Sequence, residues 1–117
     1  MVQDPLLECS FLIPVRRDAN LSDGEEHAKE MWDWLDDEMI DRFGGVTYSP
    51  LAYRGAYIDR DTGERVADDS KKCTVAIEES RIDELRQLLS AACVFFQQKC
   101  IYLSVAGSVE FVEPPVS

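Results

Sequence analysis

The sequence predicts an α+β fold in which two helices lie on one face of a four-stranded antiparallel sheet. Two segments place apolar residues at helical spacing, and four others have the extended, alternating pattern of strands. Their order along the chain is β-α-β-β-α-β, the split βαβ arrangement. With 117 residues, 45% of them hydrophobic and 30% charged, the chain has the size and balance of one domain over residues 1–117.

The first strand and the first helix are predicted in the N-terminal third. Apolar residues share one face of an extended segment at 6–15, where Pro14 indicates an edge or an end. Ser22 has the features of a helix N-cap, because Glu25 follows three residues later as in a capping box. A core-facing stripe comes next, formed by Ala28, Met31, Trp32, Leu35, Met39 and Phe43. The glycine pair at 44–45 predicts the end of this helix.

The remaining elements follow in the second half of the chain. The second strand is predicted to start at 46–48 and continue at 51–58, the third lies at 71–78 after a short arm at 65–68, and the fourth lies at 100–105 before a short final arm at 109–111. Pro50 interrupts the second strand, and residues 59–64 are dense in turn formers, which is typical of a hairpin tip. The second helix starts at Ser80. Its broad apolar face consists of Ile82, Leu85, Leu88, Leu89, Ala92, Cys93, Phe95 and Phe96.

The other face of the predicted sheet has no cover. In the last long strand, Ile101 and Leu103 alternate with Tyr102, so apolar or aromatic groups point to both faces. Two helices suffice for one face, and an exposed apolar face marks an interaction surface. The sequence therefore predicts a homodimer formed through the open sheet face.

The charge of the chain excludes several classes of partner. Lysine and arginine number 12 against 23 aspartates and glutamates, which gives a net charge of −11. Binding to nucleic acid or to an anionic membrane surface needs the opposite sign, so we expect neither partner. No basic, apolar leader and no apolar stretch of ~20 residues is visible, which favours a cytoplasmic location.

The four cysteines favour a structural role. Cys9, Cys73, Cys93 and Cys100 form no C-x-x-C pair. A disulfide framework has three possible pairings, but we expect reduced, unreactive thiols, because the chain is long enough for a core without cross-links.

Metal and cofactor chemistry finds little support in the sequence. The single histidine, His27, is predicted on the surface of the first helix. A zinc site needs three or four ligands, and one histidine with no cysteine nearby in sequence does not supply them. Residues 59–64 resemble part of a calcium loop but lack its full ligand set. Residues 18–41 hold ten acidic residues and one basic residue, either as a solvated face or as a docking surface for a basic partner. Nucleotide, hydrolase and zincin motifs are absent, so we expect no metal and no cofactor.

The segment after the first helix carries the candidate ligand site. Tyr53 and Tyr57 share a face of an extended strand, and Gly55 leaves a gap between them. Arg54, which points the other way, is suited to orient a carboxylate. Any small anionic or aromatic ligand is expected to lie here, with Tyr48, Tyr53, Arg54 and His27 as candidate binding residues. The tyrosines also suit a subunit interface, and that alternative stays open.

The order of elements resembles the dimeric α+β barrel superfamily of ferredoxin-like proteins over nearly the whole chain. The segment at 43–47, followed by Gly55, Asp59 and the strand from Lys71, is similar to small bacterial proteins of this type, which imply no particular activity. The resemblance implies subunits that pair through their open sheet faces. The superfamily contains cofactor-free monooxygenases, haem-binding enzymes and muconolactone-isomerase-like proteins. Two functions therefore stay open: a homodimeric small-ligand-binding or regulatory module, and a small cofactor-free or haem-dependent enzyme.

Overall fold

A computed structural model of the chain describes residues 5–116. The strands are β1 (Leu6–Pro14), β2 (Thr47–Tyr48), β3 (Tyr53–Ile58), β4 (Arg65–Glu78), β5 (Ile101–Val105) and β6 (Ser108–Val112). The helices are α1 (Lys29–Phe43) and α2 (Ile82–Phe95), and a 3-10 turn, Glu79–Arg81, leads into α2. The predicted α+β class, with two helices and an antiparallel sheet, is confirmed.

The sheet has six strands, so the prediction of a clean four-stranded sheet is wrong. Its order is β2-β4-β1-β5-β6, all antiparallel, and β3 pairs with β4 beyond β2. The break around Pro50 separates β2 from β3, because proline has no amide hydrogen to donate to a ladder. At the other edge, the turn at Gly107 returns the chain as β6, which pairs along all of β5. The predicted final arm is therefore a full strand.

The core lies between the sheet and the two helices. Phe11 is at its centre, opposite Cys73 on β4 and Leu103 on β5, and all three side chains are fully buried. Six residues of α2 are buried but only two of α1, Leu35 and Met39, so α2 contributes more to the core. Burial of each large apolar side chain stabilises the folded state by roughly 1.5–3 kcal/mol, because apolar surface is removed from water.

The start of α1 differs from the prediction. The helix begins at Lys29 with Ala28 as N-cap, six residues after the predicted cap, Ser22. The acidic residues before it stabilise a loop instead, because Asp23 forms an ion pair with Arg17 at 2.7 Å and accepts a hydrogen bond from the Glu25 backbone amide. The Arg17 guanidinium lowers the pKa of Asp23 to about 2. The end of the helix is as predicted, at Gly44 with φ of 82°.

The second face of the sheet bears no helix in the described part of the chain. We call it the uncovered face. The strand register places Leu12, Lys72, Tyr102 and Phe111 on it. Tyr102 and Phe111 contact each other edge-to-face with ring centroids 5.9 Å apart, and Phe111 is 58% exposed. As for membranes, neither described helix is long and apolar enough to cross a bilayer.

Candidate functional site

The predicted gap between two tyrosines lies on the uncovered face. Strand β3 pairs with the first half of β4, with Tyr53 opposite Ser70, Gly55 opposite Asp68 and Tyr57 opposite Val66. Directly opposed residues share a face, so Tyr53, Gly55, Tyr57 and Asp68 lie on the same side of the hairpin. We call these four residues the hairpin site.

Gly55 provides the space in this site. A Cβ atom at this position would lie 3.5 Å from Oδ1 of Asp68, so the carboxylate fills part of the volume that a side chain would take. Residues four apart in a strand are separated by roughly 13–14 Å. The two tyrosines therefore flank an opening wide enough for one flat group, with a carboxylate beside it.

The electrostatics of the hairpin site favour a positively charged ligand. Burial raises the pKa of Tyr57 to about 12, and the nearby carboxylates of Asp18 and Asp68 add to the shift, so the phenol is neutral at pH 7. Burial also raises the pKa of Asp68, with further contributions from Asp69 and Asp18. Within residues 5–116, Asp68 forms no salt bridge. An anion is disfavoured here because it would meet these carboxylates.

Arg54 faces away from the hairpin site, as strand alternation predicts. It lies opposite Asp69, with its Nε atom 3.8 Å from Asp69 Oδ1, and its side chain is 90% exposed. The cation beside Tyr53 is Lys72, whose Nζ atom lies 5.9 Å from the centroid of the tyrosine ring. Sequence reasoning missed Lys72 and Asp68, since only the register of β4 against its neighbours brings them to this face.

Tyr48 lies apart from the hairpin site. It lies opposite Cys73 on the helix-covered side, where it lines a cleft of about 250 Å³ together with Trp32, Asp33, Asp36 and Lys71. We call this the edge cleft. The Tyr48 hydroxyl donates to Asp36 Oδ1 at 3.4 Å, and burial, with Cys73 and Asp36, raises the pKa of Tyr48. The candidate residues Tyr48 and Tyr53 are thus on opposite faces of the sheet.

His27 lies outside both places, and the prediction of a solvated helix-surface histidine is wrong. Because α1 begins two residues later, His27 sits in the preceding loop and is only 8% exposed. Its ring packs edge-on against Trp32 and Phe96, at centroid distances of 5.7 and 4.9 Å. Nε2 donates a hydrogen bond of 2.8 Å to the Pro14 carbonyl. The ring therefore serves the core in this structure.

The hairpin tip is held by a network around Asp59, which is 2% exposed. Its carboxylate accepts hydrogen bonds from Lys99 Nζ at 3.0 Å and from Asn20 Nδ2 at 2.9 Å. The backbone amides of Asp61 and Thr62 donate to the same carboxylate. We call these contacts the Asp59 clasp. An ammonium group thus takes the place that the partial calcium-loop pattern suggested for a metal.

Metal-binding groups do not gather elsewhere in residues 5–116, where no cluster of three or more histidine, cysteine, aspartate or glutamate side chains is arranged to hold an ion. All four cysteines are free, and three of them, Cys9, Cys73 and Cys93, are buried. Burial raises the pKa values of Cys73 and Cys93 to about 12. These two thiols are therefore protonated and poor nucleophiles at pH 7.

Comparison with known proteins gives similarity of fold alone. No protein-family model matches the sequence, and no curated relative matches it. The structure is similar to that of a phage SAM lyase in complex with S-methyl-5'-thioadenosine, with a TM-score of 0.72 over 97% of this chain and 93% of that one, at 12% identity. It is also similar to a phage SAM lyase in the apo state, with a TM-score of 0.63 over 100% and 99% of the two chains, at 11% identity.

Proposed function

We propose that this chain binds a small cationic nucleoside of the S-adenosylmethionine (SAM) type at the hairpin site and cleaves it as a lyase. The observation that carries the proposal is Asp68, a carboxylate that has no ion-pair partner among residues 5–116 and that lies between Tyr53 and Tyr57. The likeness in fold to the phage SAM lyase supports the choice of ligand. The expectation of an anionic ligand is replaced here by a cationic one, because Arg54 faces away and Asp68 faces in.

The chemistry of SAM fits these side chains. Its sulfonium is a permanent cation, which a carboxylate and two aromatic rings attract, the rings by roughly 0.5–2 kcal/mol. Its adenine is a flat group that suits the space between two tyrosines. The carboxylate of SAM would form an ion pair with the ammonium of Lys72, which lies beside Tyr53 on the same face of the sheet. Release of S-methyl-5'-thioadenosine breaks the bond between the sulfonium sulfur and the methionine γ-carbon. The bonding electron pair stays on sulfur, and an oxygen of the ligand's own carboxylate bonds to the γ-carbon, which gives homoserine lactone.

We propose that a second copy of the chain encloses the ligand at the hairpin site. Tyr53 and Tyr57 are 54% and 43% exposed, so a ligand between them would be open to solvent on one side. Small-molecule sites usually enclose ~70–90% of the ligand surface. A homodimer through the uncovered face, as in dimeric α+β barrels, would close the site with the sheet of the partner. A binding or regulatory module and an enzyme would share this arrangement and differ in turnover.

Calorimetric titration with SAM and with S-methyl-5'-thioadenosine tests the site. We expect SAM to bind more tightly than the uncharged thioether, because only SAM carries the sulfonium and methionyl charges. Asp68→Asn should weaken SAM binding by roughly 10–100-fold, which is the loss in affinity expected when a hydrogen bond to a charged group is removed. The variant should also discriminate less between SAM and S-methyl-5'-thioadenosine. Asp69→Asn is the matched control, since its side chain faces the other side of the same strand.

Product analysis separates the two functions. Chromatography after incubation with SAM should detect S-methyl-5'-thioadenosine, at a rate reduced in Asp68→Asn. Tight binding with no product would indicate the regulatory module. Absence of SAM binding, or equal effects of the variants at 68 and 69, would contradict the proposal.

A further inference from the structure

We propose that the edge cleft is a second small-molecule site, which binds the zwitterionic head group and apolar side chain of a free amino acid. It is independent of the proposed function, because it lies on the helix-covered side of the sheet. In this assignment, Asp36 receives the ammonium group and Lys71 the carboxylate. Trp32 and Tyr48 contact the side chain.

The cleft is built from three elements. Helix α1 contributes Trp32, Asp33 and Asp36, strand β2 contributes Tyr48, and β4 contributes Lys71. Lys71 lies opposite the buried Ile13, so its side chain starts from the helix-covered face. The volume of about 250 Å³ is below the ~300–1,000 Å³ typical of drug-sized ligands. A molecule of amino-acid size suits this space.

The charges in the cleft are opposite in sign but do not neutralise each other directly. No carboxylate oxygen of residues 5–116 lies within 4.0 Å of the Lys71 ammonium. Asp33 is paired with Lys29 at 2.8 Å, whereas the one contact that Asp36 accepts from the described residues is a long hydrogen bond of 3.4 Å from Tyr48. A ligand with both charges can therefore satisfy Asp36 and Lys71 together.

This pattern selects against ligands with one charge. A simple anion meets Asp33 and Asp36, and a simple cation meets Lys71, so each gains one favourable contact and suffers a repulsive one. The ammonium of a zwitterion near Trp32 gains a cation–π attraction as well. The rings are held in place, since Trp32 packs on Phe96 with centroids 5.1 Å apart.

Titration of the ¹⁵N-labelled protein with L-phenylalanine tests the proposal, with phenylalaninamide and N-acetyl-phenylalanine as analogues that each lack one charge. We expect shifts in the amides of residues 31–36, 47–48 and 71, and affinities at least fivefold lower for both analogues. Asp36→Asn and Lys71→Met should each weaken binding by at least fivefold. Asp37→Asn and Arg65→Met are the matched controls, as exposed charged residues that do not line the cleft.

The proposal would be overturned by no saturable binding of L-phenylalanine, by equal binding of the singly charged analogues, or by control variants that weaken binding as much as the cleft variants. Failure here is distinguishable from failure at the hairpin site. Binding of SAM there is read from the amides of residues 53–57 and 66–70 and from Asp68→Asn. Shifts confined to those residues on addition of L-phenylalanine would also contradict the edge cleft as its site.

Discussion

His27 shows what burial does to a single side chain. The hydrogen bond to the Pro14 carbonyl requires the proton on Nε2, and Nδ1 is buried without a partner in the described residues. Protonation of Nδ1 would place a positive charge and a hydrogen-bond donor without a described partner in a site that is almost inaccessible to water. Burial therefore lowers the pKa of His27 and Arg17 lowers it further, although the hydrogen bond to Pro14 acts in the opposite direction.

We expect the imidazole of His27 to titrate below pH 6.5, its ordinary midpoint. As the chain has one histidine, its Cε1 proton signal reports this directly in a one-dimensional NMR titration. The unfolded state takes up the proton first, so stability is lost as the pH falls from about 6.5 through the folded-state pKa. Urea unfolding should show this loss in the wild type and a smaller one in His27→Gln. A midpoint above 6.5 would contradict the burial argument.

Gly55 should be needed for ligand binding but not for stability. A side chain there meets Asp68 Oδ1 at an ordinary contact distance of 3.5 Å, and valine suits a strand better than glycine by ~0.5–1 kcal/mol. Gly55→Val is therefore expected to leave the free energy of unfolding unchanged or slightly raised. It should weaken SAM binding at least tenfold by filling the opening. Loss of folding, or unchanged binding, would show that the opening has another role.

At the scale of elements, the β3–β4 hairpin depends on a few contacts. Every residue of β3 is exposed, and among the described strands β3 pairs with β4 alone. The Asp59 clasp is what joins the tip of this hairpin to the loop at Asn20 and to the segment after α2. The Lys99 ammonium lowers the pKa of Asp59, as expected of a carboxylate held by charge-assisted hydrogen bonds.

Lys99→Met should loosen the hairpin without unfolding the sheet. We expect several-fold faster hydrogen exchange in the amides of residues 53–58, with little change in residues 9–13, because the core contacts of β1 do not involve the clasp. Lys29→Met removes an exposed ion pair on α1 and is the control. Equal exchange in the two variants would mean that the clasp does not hold β3.

At the scale of the whole molecule, charge and apolar surface act against each other. A net charge of −11 repels a second copy of the chain, whereas the uncovered face exposes apolar side chains such as Phe111 to water. Salt screens the repulsion, with a Debye length of about 10 Å at 0.1 M, but leaves apolar burial in place.

We therefore expect dimerisation to strengthen with salt, measured by sedimentation between about 50 and 500 mM sodium chloride. Phe111→Glu on the uncovered face should give monomers. Val94→Glu is the control, because Val94 on α2 is as exposed as Phe111, at 58%. A monomer at every salt and protein concentration, or dissociation by both variants alike, would exclude this interface.

Sequence patterns were enough to predict the α+β class, the two helices, the end of α1 at Gly44 and the shared face of Tyr53 and Tyr57. These features depend on local periodicity and backbone preference, which a short window contains. Three features depend on the folded chain: Tyr48 and Tyr53 lie on opposite faces, Asp68 lies beside Gly55, and His27 is buried. Strand register and loop packing decide these, since each joins residues that no spacing along the chain relates.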